Sequence, residues 1–116
     1  EESQHAIMDE LEWRRHDATL TPAQRDQAVD EFIELVGAVD GILQAQAQAD
    51  ATYGAATCGR TLSEAEQQAL HAGILKAYRW QYILSGAQHP PFVKALSSLI
   101  APEQGQRIQA ALATMQ

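Results

Sequence analysis

The stretch Thr21–Leu43, TPAQRDQAVDEFIELVGAVDGIL, decides the fold. Thr21 is a good helix N-cap, Pro22 suits the first helical position, and Gln24 closes a capping box. Behind that start come Val29, Phe32, Ile33, Val36, Val39 or Asp40, and Leu43. They recur at three- and four-residue intervals, the spacing of one helix face. The pattern predicts a helix reaching Asp50 or further, about 30 residues and ~45 Å long. Gly37, Gly41, Ala45 and Ala49 lie four apart along it. Each glycine costs a helix about 1 kcal/mol relative to alanine, so close packing by a second helix is the expected compensation.

Downstream, the pattern fades over Thr52–Thr61, where Gly54 and Gly59 are positioned to bend or end the helix. Ser63-Glu64-Ala65-Glu66 is a second capping box. Leu70, Ile74, Ala77, Tyr78, Ile83 and Leu84 then mark a buried side, with Gly86 as a stop. Tyr78, Trp80 and Tyr82 cannot share one helix face, so at least one is expected at a contact with another element. Pro90-Pro91 breaks the chain. Phe92, Leu96, Leu99 and Ile100 predict a short helix, and Pro102 opens a last one carrying Ile108, Ala111, Leu112 and Met115. No stretch reads as a strand. The expectation is an all-α fold, a single domain over 1–116 of four or five helices, packed as a bundle or as antiparallel hairpins.

Composition bounds the function. The chain has 116 residues, 46% of them hydrophobic, enough for one core. A net charge of -7 with no basic cluster beyond Arg14-Arg15 argues against nucleic acid or an anionic membrane as partner. No apolar run reaches the ~18 residues of a membrane span, and no signal peptide opens the sequence. A single cysteine, Cys58, predicts a reducing, cytoplasmic setting. The sequence begins at Glu1 without a methionine. The expectation is that a few residues were removed or that this is the tail of a longer protein.

Chemistry is concentrated upstream, in EESQHAIMDELEWRRHD, residues 1–17. On a helix, Glu2, His5, Asp9, Glu12 and His16 form one stripe of potential metal ligands or proton carriers. Ile7, Met8, Leu11 and Ala18 form the apolar face opposite, which is expected to pack while the stripe stays wet. Glu2 and His5, at i and i+3, project together and can reach one ion; carboxylate and imidazole donors suit iron or manganese. Ser63, Ser85, Ser97 and Ser98 have no nucleophile context, and His71 and His89 stand alone.

Glu1-Glu2-x-x-His5-Ala6 resembles the ligand helix of the ferritin-like di-iron carboxylate superfamily, over Glu1–Trp13 only. The resemblance implies a four-helix bundle using oxygen to oxidise, hydroxylate or store iron, with Glu2 as bridging carboxylate and His5 as terminal ligand. The family needs two such pairs, and this chain has one. Glu31 and Glu34 are the best further carboxylates, so the resemblance places Glu2, His5 and Glu34 in a site completed by a second chain, a homodimer, or by helices upstream. The alternative reading is a helical interaction or oligomerisation module without chemistry, using the Gly37/Gly41/Ala45/Ala49 row and the Tyr78–Tyr82 cluster. A third is a small-molecule pocket lined by Trp80, Tyr82 and Phe92, which an internal apolar cavity would single out.

Overall fold

A computed structural model describes residues 2–116, with the side chain of Glu2 left aside. The described residues form helices and no strand, which is the all-α fold expected. Helix α1 spans Glu2–Asp17, α2 Pro22–Thr57 and α3 Glu64–Arg79. A π-helical turn, Trp80–Leu84, joins α3 without a break to α4, Ser85–Ala87. Then come α5, Pro90–Leu99, and α6, Pro102–Ala113.

Helix α2 runs beyond Asp50, as its sequence pattern allows: 36 residues, ending at Thr57. Both arms of its capping box are made, Gln24 N–H to Thr21 Oγ1 at 3.2 Å and Thr21 N–H to Gln24 Oε1 at 2.9 Å. Gly54 does not end it. A Cβ there would meet Leu70 Cδ2 at 3.5 Å, so the missing side chain lets α3 come close. The stop is Gly59, whose φ of 79° is a left-handed turn that a side chain would strain.

The inward stripe of α2 runs Val29, Ile33, Val36, Asp40, Leu43, Ala47 and Ala51. Its three-four spacing matches a seam against an antiparallel α3. Asp40 falls on the seam and is buried. The Arg79 guanidinium meets it with two bonds, Nε to Oδ1 at 2.6 Å and Nη2 to Oδ2 at 2.8 Å, and Gln44 donates to Oδ2. Both oxygens of a costly buried carboxylate are thus hydrogen-bonded. Farther along the hairpin the Tyr78 hydroxyl donates to Asp50.

The π turn follows Arg79 directly. Its extra residue shifts the phase of the helix, and the adjacent Ile83 and Leu84 are both buried. They join Val29, Leu43, Ile108, Leu112 and Met115 in the core. Helix α6 is pinned on α2 by polar contacts: Gln104 Nε2 and Arg107 Nη2 both donate to Asp26 Oδ1, at 3.0 and 2.7 Å. Those two donors, Arg107 foremost, hold the Asp26 carboxyl below the usual range.

The core is thin for the chain length. Principal extents are 58 × 33 × 19 Å, and the radius of gyration is 18.1 Å, against about 13 Å for a compact chain of this size. The accessible surface is 8239 Å² where a compact monomer of 12.7 kDa exposes about 6,200 Å². The small row of α2 also lacks its expected cover. A Cβ at Gly37 or Gly41 would meet nothing within 4 Å, and Ala45 and Ala49 are exposed.

Three measurements check this description. Arg79→Ala leaves Asp40 buried without its counter-ion and is expected to cost about 3 kcal/mol in urea unfolding. The guanidinium holds the Asp40 carboxyl below its ordinary value. Its contribution is therefore complete above the unfolded pKa of about 4 and is lost as pH falls through the lowered value. Urea midpoints should hold from pH 6 to about pH 4 and fall below it, less so in Asp40→Asn. Gly37→Ala and Gly41→Ala, with open space around them, should each stabilise the chain by roughly 0.5–1 kcal/mol. A loss instead would mean that another backbone lies on that row.

Candidate docking groove

Helix α1 does not use its apolar side on its own chain. Ile7, Met8 and Leu11 are 61%, 63% and 62% exposed. This corrects the expectation that they form its packing face. The side turned to the body is set by Trp13, Arg14 and Asp17. Trp13 stacks on Phe92 of α5, with ring centroids 6.1 Å apart and planes at 23°. Arg14 Nη1 donates to Ser98 Oγ at 3.0 Å. Asp17 is buried and takes two bonds from Arg25, at 2.8 and 3.0 Å, which clamp the α1–α2 turn. On a helical wheel these anchors, the Ile7/Met8/Leu11 patch and the Glu2–His16 stripe are three faces about 120° apart.

The stripe gathers no site within the chain. Its member Glu12 is tied to Arg15, with Nη2–Oε2 at 2.7 Å. His5 is exposed on α1, Glu34 is exposed on α2, and the Glu2 side chain lies outside the described residues. Among the described residues no three His, Cys, Asp or Glu side chains lie close enough together to hold an ion. Glu31 accepts from Gln27 Nε2 at 2.8 Å.

What the fold does build is an apolar groove of about 580 Å³. Helix α2 gives Phe32, Val36 and Val39 to its wall, the π turn Tyr82 and Ile83, α5 Phe92 and Leu96, and α6 Ile108 and Leu112. A second hollow of about 290 Å³ lies on the other side of Phe32 and Phe92, bounded by Trp13, Leu20 and Leu99. The two rings sit 6.4 Å apart, tilted at 43°, as a partition between the hollows. The few polar side chains of the main groove are Tyr82, His89, Ser97 and Gln109. Ser97 is committed to its own helix, its hydroxyl donating to Val93 O at 2.8 Å. The rest of the lining is apolar, so the groove offers apolar surface for burial.

The chain matches no protein-family model, no curated protein and no solved structure. The groove has to be understood from its own geometry. Its rim is wet: Leu35 is 62% exposed, Tyr82 65% and Val93 42%. The third sequence reading named Trp80, Tyr82 and Phe92 as pocket walls. Tyr82 and Phe92 line the groove and Trp80 does not. Leu35 went unremarked in the sequence, although a signal was there. Ala28-Val29, Leu35-Val36 and Ile42-Leu43 are apolar pairs seven residues apart. Such pairs make an apolar stripe too wide for one contact. One member of each faces in, and Ala28, Leu35 and Ile42 stay exposed.

At the opposite end of the hairpin, Arg60 and the Ser63 cap hold the Glu66 carboxyl down at about 2. Exposed Cys58 turns its thiol to the carbonyls of Ala55 and Arg60. No described helix is long and apolar enough to cross a membrane.

An apolar dye such as anilinonaphthalene sulfonate is expected to bind the folded chain and brighten. Phe92→Ala, which removes the partition and the surface under Trp13, should abolish that brightening and, in a Trp80→Phe background, shift the Trp13 emission to the red. Unchanged emission would mean that Trp13 is not seated on Phe92.

Proposed function

We propose that this protein is a non-catalytic helical assembly module whose groove receives an amphipathic helix from a protein partner. The observation that carries the reading is the open apolar groove with Leu35, Tyr82 and Val93 exposed along its rim. Magnitudes favour a protein over a small ligand. The chain exposes roughly 2,000 Å² more than a compact monomer of its mass. A stable protein interface covers about 800 Å² per partner and an obligate one more, while a small molecule would leave the rim wet. Exposed apolar patches of this extent mark interaction sites. A homodimer is the simplest such assembly, and a reducing, cytoplasmic compartment, in which exposed Cys58 stays a thiol, suits it.

Sedimentation velocity at micromolar concentration is expected to give a dimer, and Leu35→Glu a folded monomer. A monomer of the unaltered chain at 100 µM would overturn the self-association.

A second reading starts from exposure: Glu34 on α2 and His5 on α1 are both at the surface, within reach of a second chain. There Glu34 would join Glu2 and His5 of the other copy in an iron or manganese site of the ferritin-like kind. Metal analysis of dimer purified without chelator tests this reading. Stoichiometric iron or manganese that His5→Ala removes would support it, and metal-free dimer would end it.

A further inference from the structure

We infer that the helix received by the groove is α1 of a second copy of this chain, the two copies exchanging arms about a two-fold axis. This rests on the assembly reading above and names its partner.

One molecule carries both halves of an unmade contact. Helix α1 holds to its own body by Trp13, Arg14 and Asp17, and presents Ile7, Met8 and Leu11 to solvent. Ile7 and Met8 stand four and three residues before Leu11, two of the spacings by which a helix anchors in a groove. The clamp of Arg25 on Asp17 fixes the arm's direction, so no refolding is needed and little entropy is lost on docking. With an arm and a groove on every copy, a reciprocal exchange about a two-fold axis closes at two chains.

Area is compatible with the same partner. The chain exposes roughly 2,000 Å² beyond a compact monomer of its mass. A stable interface covers about 800 Å² per partner, and one reciprocal exchange would cover both the arm and the groove of each copy.

The test combines a double variant and a cross-link on the full chain. Ile7→Glu with Leu11→Glu changes only residues exposed in the single chain, so helicity by circular dichroism should stay the same. The dissociation constant of the dimer should rise at least 100-fold. In a Cys58→Ser background, chains carrying Met8→Cys mixed with chains carrying Val93→Cys should oxidise to the mixed disulfide between chains. A dimer that keeps its affinity in the Ile7/Leu11 variant and gives no mixed disulfide would overturn the arm as occupant, leaving self-association through another face. A chain monomeric throughout would overturn both readings.

Discussion

Everything in this fold is referred to the pairing of Asp40 with Arg79. A carboxylate placed on the inward seam of a long helix is expensive unless a matching cation arrives in one geometry. Arg79 supplies it with a two-pronged bond at 2.6 and 2.8 Å, and only one register of α3 against α2 permits that. A polar pair in an apolar seam thus does for this hairpin what a buried asparagine does for a coiled coil. Arg79 is also the last residue before the π turn. Register at Asp40 therefore sets where Tyr82, Ile83 and Leu84 fall, and through them the floor and rim of the groove.

The two ends of the molecule differ in kind. The Cys58 end is a hairpin of small residues, with Ala47, Ala51 and Gly54 letting the helices close together. The other end gathers α1, the first half of α2, the π turn, α5 and α6 around larger side chains, and there the packing is incomplete. Phe32 and Phe92 stand between two hollows instead of filling one core. Helix α1 rests on one aromatic stack and two arginine contacts. A surface this large on a body 19 Å thick is hard to maintain alone, since small domains depend on the fraction of surface they bury.

Much of the fold was legible in the residues. The capping boxes at Thr21 and Ser63, Pro22, Pro102 and the period of Val29 to Leu43 each report a local preference, and local preferences place helix starts well. The end of α2 was legible only as a choice between Gly54 and Gly59. Gly54 reads as a breaker by propensity and is overruled by the close approach of Leu70. The π turn was also hidden, because nothing in Trp80–Leu84 announces an inserted residue. At the candidate site, Tyr82 and Phe92 could be marked as pocket walls, but the groove as a whole is made by elements from both ends of the sequence. The faces of α1 were misassigned because its apolar patch and its docking face are different faces, a distinction that periodicity within one helix does not carry. The roles of Glu2, His5 and Glu34 in holding iron or manganese were inferred from a short local pattern, and geometry within one chain adds nothing to that pattern.

The uninterrupted run of α2 has a practical corollary. Thr57, next to the exposed thiol, lies 22 residues beyond Leu35 on the same rigid rod, about 33 Å along its axis. A fluorophore or spin label on Cys58 would sit well clear of the apolar cleft while moving as one body with it. The protein comes with its own attachment point for spectroscopic rulers, and no engineered cysteine is required to use it.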